Sequence, residues 1–186
     1  MKPLNSKLLK DTILARGWVF VVILSNFAAA APRFEVSPGI NFHSPDVARA
    51  MIAPSVQIDV RPNRTFWFGA GGFWGRAIQD RGASAIQDGD RWWSAEACAY
   101  WNLSGTLGDD AQSIDLFTNA GPAYVHVSGQ GQWAFLLGGG MLVNFERTPW
   151  LSLRFDLKNY MYRLENPNGS DFVSDLSLWI GPSFLF

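Results

Sequence analysis

The chain has 186 residues, which fits one domain, with 48% hydrophobic residues and a formal net charge of −1. This balance does not favour nucleic-acid binding, which usually asks for a basic patch or stripe. One cysteine, Cys98, excludes a disulfide framework within the chain, and two histidines, His43 and His126, leave little material for a histidine-based metal site.

The first thirty residues differ in composition from the rest of the chain. Four basic residues precede the apolar run GWVFVVILSNFAAAA, which ends in alanines. This order is typical of a secretory signal peptide, here residues 1–30, with cleavage after Ala30 or Ala31. The alternative is a retained membrane anchor, for which the run is short against about 20 residues. We therefore predict export of a mature chain, 31–186, in which 11 Lys and Arg against 15 Asp and Glu give a formal charge of −4.

Alternation of apolar and polar residues, the period of a half-exposed β-strand, dominates the mature sequence. The clearest case is LSLRFDLKNYMY, in which Leu, Leu, Phe and Leu alternate with Ser, Arg, Asp and Lys. No amphipathic helix interrupts the pattern. The alternation predicts eight strands, at 34–42, 51–61, 65–75, 91–103, 113–127, 133–146, 151–162 and about 172–186.

A soluble β-sandwich and a transmembrane β-barrel would both show this alternation. The strand lengths favour the barrel, since about 9–11 residues cross a bilayer at a tilt and the usual strand has about 5–6. An even number of strands suits a closed antiparallel ring. We predict an all-β fold, an eight-stranded antiparallel up-and-down transmembrane barrel.

Aromatic residues gather at both ends of the predicted apolar faces, as the two interfaces of a bilayer would select. One belt comprises Phe42, Trp74, Trp93, Tyr124 and Trp133. The other comprises Phe34, Phe66, Trp101, Phe145, Trp150, Phe184 and Phe186. The apolar side of the strands is therefore predicted to face lipid.

The last strand keeps its alternation to the final residue, with Leu178, Ile180, Phe184 and Phe186 on one side. With the signal peptide and the eight strands, this ending resembles the small eight-stranded outer-membrane β-barrels, such as the OmpA transmembrane domain and the "outer membrane beta-barrel domain" families. The resemblance covers 31–186. It implies that Phe186 is read by the outer-membrane assembly machinery. It further implies a monomer that contacts outer-membrane lipid and lipopolysaccharide and binds no nucleic acid.

Barrels of this kind keep both termini in the periplasm, with short periplasmic turns and longer outer loops. The predicted turns are 62–64, 104–112 and 147–150. The predicted outer loops are 43–50, 76–90, 128–132 and 164–171.

Four prolines fall inside predicted strands, where each removes a main-chain hydrogen-bond donor. They are Pro38, Pro54, Pro122 and Pro182. A closed barrel has no edge to receive them, so we expect bulges or early strand ends near some of these positions.

Charged residues of both signs lie on the predicted inward faces, and buried charges must be paired or hydrated. An eight-stranded barrel is just wide enough inside for side chains to fill. We predict a salt-bridged interior around Arg154, Asp156 and Lys158, reached by acids from other strands, Glu96 best placed. The alternative is a narrow polar channel for small solutes. The predicted polar cluster is Asp59, Arg61, Glu96, Arg154, Asp156 and Lys158, and Glu35 and Asp175 are also predicted to point inward.

An enzymatic alternative comes from outer-membrane deacylases of lipid A, which this chain resembles in its strand–loop–strand ending. Those enzymes use a His-x-Ser pair and an acid on the outer face of the barrel. Here His126 and Ser128 form such a pair, but Glu146 lies at the opposite end of the next strand and is predicted to point inward. We therefore predict no catalytic residue, no cofactor and no metal site, and a structural or surface-interaction role.

Overall fold

The computed structural model describes residues 33–45, 51–63, 65–76, 89, 91–109, 112–127, 129–166 and 169–186. Each strand pairs antiparallel with the next along the chain, and the last pairs with the first, so the sheet closes into a barrel. This confirms the predicted eight-stranded up-and-down barrel. The strands are β1 (Arg33–Ser44), β2 (Met51–Arg61), β3 (Phe66–Arg76), β4 (Arg91–Asp109), β5 (Gln112–Val127), β6 (Gln130–Phe145), β7 (Leu151–Asn166) and β8 (Gly169–Leu185).

The predicted signal peptide, 1–30, and both candidate cleavage sites lie outside the described residues. Within the part of the chain that is described, no helix has the length and apolar character needed to cross a membrane.

The alternation of the sequence becomes an alternation of burial. In β4, residues 91–100 are strictly exposed and buried in turn. Apolar side chains point outward, with Ile52 69% and Trp133 75% exposed, whereas the charged side chain of Arg154 is fully buried inside. The barrel therefore has an apolar exterior and a polar interior, as a lipid-facing barrel requires.

The first and last strands close the ring at a seam that includes the final residue. The N–H of Phe186 donates to the carbonyl of Phe34 at 2.8 Å, and the N–H of Phe34 donates to the carbonyl of Phe186 at 3.2 Å. Closure matters because lipid offers no hydrogen-bond partners to an open edge. We call this end of the barrel, which holds Arg33 and Phe186, the terminal end, and the opposite end the loop end.

The expectation of bulges or early strand ends at the prolines is wrong, because all four strands continue through them. Pro38 and Pro182 lie opposite each other in the β1–β8 register, where main-chain pairing is missing for three consecutive described residues of each strand. Pro122 lies in a two-residue gap of the β4–β5 ladder, and Pro54 lies just beyond the end of the β2–β3 ladder. Since proline has no N–H, the ladder on one side is interrupted while the other side carries the strand.

Three predicted connections are wrong in length. The predicted turn 104–112 is mostly strand, because β4 runs to Asp109 and β5 begins at Gln112. A register shift between Asn102 and Thr106 lets the ladder continue through this polar segment. The predicted outer loops 128–132 and 164–171 shorten to residues 128–129 and 167–168. Positive φ angles at Gly129 (83°) and Gly169 (140°) suit such tight hairpins.

The two other turns at the terminal end lie where the sequence places them. The terminal-end turns separate Arg61 from Phe66 and Phe145 from Leu151. Of the long connections at the loop end, residues 46–50, 77–88 and 90 lie outside the described residues.

Candidate functional site in the barrel interior

The charged side chains of the interior meet across the lumen. Arg154, Asp156 and Lys158 occupy successive inward positions on β7. Their acidic partners come from β1, β2 and β4, none of which is a hydrogen-bonded neighbour of β7. The side chains therefore connect opposite walls of the barrel.

Arg154 lies at the centre of three carboxylates and is fully buried. It contacts Asp59 directly, and its guanidinium lies 3.1 Å from Asp156 and 3.6 Å from Glu35. The guanidinium also stacks over the ring of Tyr100, 4.9 Å from the centroid. An arginine with several acids and an aromatic face retains partners for its charge after leaving water.

Lys158 forms the second centre, further along β7 towards the loop end. It contacts Glu96, its Nζ lies 3.6 Å from an oxygen of Asp156, and it donates to Oε1 of Gln57 at 3.2 Å. The hydroxyl of Tyr160 donates to the other oxygen of Glu96 at 2.5 Å. Asp156 thus lies between the two basic centres and links them.

Arg61 forms the third centre, nearest the terminal end. It contacts Glu35 and lies over the ring of Trp67 at 4.7 Å. Its side chain is 18% exposed, more than the other basic groups of the interior. Glu35 also accepts hydrogen bonds from Ser37, at 3.3 Å, and from Ser183. This centre therefore borders the solvent at the end of the barrel.

We call these seven residues the lumen network: Glu35, Asp59, Arg61, Glu96, Arg154, Asp156 and Lys158. All six residues of the predicted cluster belong to it, and Glu35 joins them. Four acids face three bases, so the ionised network carries a formal charge of −1. Ion pairing of this density leaves little charge uncompensated inside the barrel.

Neutral polar groups complete the lumen network. The amide of Asn119 donates to Asp156 at 2.7 Å, and the amide of Gln57 donates to Asp59 at 3.1 Å. Glycine supplies the space, since a Cβ at Gly69 would overlap the carboxylate of Asp59, and one at Gly71 would lie 2.6 Å from Oε1 of Gln57. The inward glycines of β3 are therefore part of the site.

A second polar group lies towards the loop end and was not predicted. Nε2 of His43 lies 3.4 Å from Oδ2 of Asp175, which also accepts a hydrogen bond from Tyr162 at 2.6 Å. The rings of Phe73 and Trp92 pack on the imidazole with centroids at 4.8 and 5.2 Å. We call His43, Tyr162 and Asp175 the histidine cluster. The predicted first loop began at residue 43, although the alternation of β1 already gives His43 an inward position.

Of the residues of the enzymatic alternative, the two that are described, His126 and Glu146, lie at opposite ends of the barrel. His126 points outward and stacks on Trp93, with ring centroids 5.3 Å apart. Glu146, predicted to point inward, is exposed in the turn after β6, at the terminal end. Ser128 lies outside the described residues. Among the residues that are described, no three His, Cys, Asp or Glu side chains are grouped to bind a metal ion.

No protein-family model and no curated protein matches the chain. Among solved structures, the N-terminal β-barrel domain of OprF from Pseudomonas aeruginosa is 14% identical with a TM-score of 0.51, covering 83% of this chain and 97% of that one. A major outer membrane protein from Thermus thermophilus is 14% identical with a TM-score of 0.50, covering 84% and 100%. At 14% identity, the similarity to these structures shows the fold alone. The chain has the fold of the small eight-stranded outer-membrane β-barrels.

Proposed function

We propose that this protein is an exported, monomeric outer-membrane barrel with a structural or surface-interaction role, no enzymatic activity and a filled interior. The observation that carries the proposal is the inverted distribution of polarity. Leu, Ile, Phe and Trp side chains cover the exterior, while the lumen network is buried. An exterior of this kind is unfavourable in water and favourable in lipid.

The aromatic belts support a membrane-spanning orientation. At the terminal end, Phe66 stacks on Trp101 with ring centroids 5.6 Å apart. At the loop end, Tyr124 contacts both Trp93, at 5.6 Å, and Trp133, at 5.4 Å. Amphipathic rings at both ends of an apolar band match the two interfaces of a bilayer. Lipid and lipopolysaccharide are thus the proposed surroundings, and the assembly machinery the proposed partner.

The packing of large side chains supports a filled interior. Trp67, Tyr100 and Arg154 are fully buried in the terminal half, and Trp92 and Tyr160 in the loop half. An interior of this width is blocked by side chains of this size. A ring without free edges also supports the monomer, because it offers no strand for pairing with another chain.

Two experiments test the proposal. Cell fractionation combined with heat-modifiable gel migration should place the folded mature protein in the outer membrane. Recovery of the mature protein as a soluble periplasmic species would refute the location. Single-channel recording in planar bilayers should show no stable conductance, and discrete ion-selective steps would instead support the small-solute channel.

A further inference from the structure

The loop end of the exterior carries two arginines in direct opposition. Arg76, the last residue of β3, pairs with Arg91, the first residue of β4, and both side chains are exposed on the outward face. One row further into the apolar band, Trp74 pairs with Trp93. We propose that this face of β3 and β4 binds a phosphate-bearing lipid of the outer leaflet. The inference rests on the proposed function and on the predicted topology, in which the loop end faces the cell exterior.

The arginine pair is suited to binding an anion. Like charges directly opposite each other on neighbouring strands repel and destabilise the pair. Within the part of the chain that is described, neither guanidinium forms an ion pair. Two guanidinium groups on adjacent strands can each donate paired hydrogen bonds to phosphate oxygens. A phosphate bound between Arg76 and Arg91 would neutralise the repulsion between the two guanidinium groups.

The surface below the tryptophan row fits acyl chains. The next rows of the β3–β4 ladder are Gly72 with Ala95 and Ala70 with Ala97. On the two neighbouring strands, the outward residues beside these rows are larger: Val56 and Ile58 on β2 lie opposite Gly72 and Ala70, and Tyr124 on β5 lies opposite Ala95. The small residues therefore form the floor of a shallow strip between taller walls.

The dimensions suit one leaflet. From Arg76 to Ala70 the chain advances six residues, about 20 Å at about 3.4 Å per residue. At a strand tilt of about 45°, this corresponds to roughly the 15 Å of half a hydrocarbon core. A free anion would use only the arginine pair, whereas a lipid would use the arginines, the tryptophans and the strip. The continuity of the three elements favours the lipid.

Native mass spectrometry of the purified, folded barrel in detergent tests the proposal, with bisphosphorylated lipid A as the probe. The wild type should bind this probe at least about tenfold more tightly than lipid A from which both phosphates have been removed, given the strength of charged hydrogen bonds. The Arg76→Gln/Arg91→Gln variant should lose this difference. Arg163→Gln, which removes an exposed arginine opposite Phe172 at the same end, is the matched control and should bind like the wild type.

Further arms distinguish the source of the phosphate. Ala97→Phe, which fills the strip, should weaken binding of lipid A, and millimolar inorganic phosphate should not displace the lipid. Displacement by inorganic phosphate at that concentration would show a site for a free anion and overturn the lipid proposal. Equal binding of the two forms of lipid A to the wild type would overturn it without any variant. Because binding is measured on the folded barrel, either failure is separate from a failure of the cellular location.

Discussion

The two halves of the barrel interior are filled in different ways. The terminal half holds the lumen network, in which Arg154 and Lys158 each face more than one carboxylate. The loop half holds rings, and among the described residues it brings the imidazole of His43 close to the carboxylate of Asp175. Both halves contain packed rings, but the terminal half adds a dense network of ion pairs, whereas the loop half is filled mainly by aromatic surface.

The two halves of the interior should respond differently to the loss of one polar side chain. A shared ion-pair network fails when one member is removed, because the partners remain buried without compensation. A ring cluster around a single pair loses one hydrogen-bonded contact and keeps its packing. Substitution of a buried polar residue should therefore lower the free energy of unfolding more in the terminal half than in the loop half.

The largest effect is expected for Arg154→Ala. It leaves Asp59 and Asp156 buried without their main partner, which should lower the free energy of unfolding by about 3–5 kcal/mol. Urea unfolding of the barrel in lipid vesicles measures it. Arg163→Ala, an exposed arginine on the same strand, is the matched control and should change little.

A second control for this prediction is Asp88→Ala in the outer loop 76–90, a position outside the described residues, which should also cost little. Equal stability of Arg154→Ala and both controls, together with a new conductance, would mean that Arg154 is hydrated. The interior would then be a channel instead of a filled core.

The next effect concerns the pairing of Glu96 with Lys158. Lys158→Met alone should cost about 3 kcal/mol, since Glu96 then remains buried near Asp156. The double variant Glu96→Gln/Lys158→Met should cost less than the sum of the two single variants, because apolar or neutral replacement of a whole buried pair is often tolerated. A double-mutant cycle from unfolding curves measures the coupling. Strictly additive costs would argue against a direct pair.

A smaller effect is expected in the loop half. Asp175→Asn removes the negative charge beside His43 but keeps an oxygen that can accept the hydrogen bond from Tyr162. The cost should be about 1–2 kcal/mol, read from the same unfolding curves. A loss as large as that of Arg154→Ala would abolish the contrast between the two halves.

The sequence predicted those features that depend on alternation. The eight strands and their faces follow from period 2, and the inward side of β7 follows from LSLRFDLKNYMY. Connection lengths did not follow, because SGTLGDDAQ has turn composition, yet a register shift between Asn102 and Thr106 keeps most of it in the ladder. Composition cannot separate a loop from a strand that extends beyond the bilayer.

Contacts across the lumen were harder to predict than faces. Both His43 and Asp175 can be given inward positions from alternation alone. Their meeting depends on the β1–β8 register, which is set only when the ring closes. The opposition of Arg76 and Arg91 likewise depends on the β3–β4 register. Register is a property of the assembled sheet, so a single strand does not contain it.

The smallest effect on the stability of the folded barrel is expected at Phe186. Its side chain is 77% exposed, while its main chain makes the two hydrogen bonds with Phe34 that extend the seam. Phe186→Asp keeps those main-chain bonds, and an acid near a membrane interface costs at most about 1 kcal/mol. Unfolding of the refolded variant should therefore be nearly unchanged. If the assembly machinery reads the terminal aromatic, the amount of protein in the outer membrane of cells should nevertheless fall several-fold. Trp150→Asp, at an exposed belt position of the same end that stacks on Phe184, is the matched control. Equal loss of yield in both variants would make Phe186 an ordinary member of the aromatic belt, whereas loss confined to Phe186→Asp would separate assembly from stability.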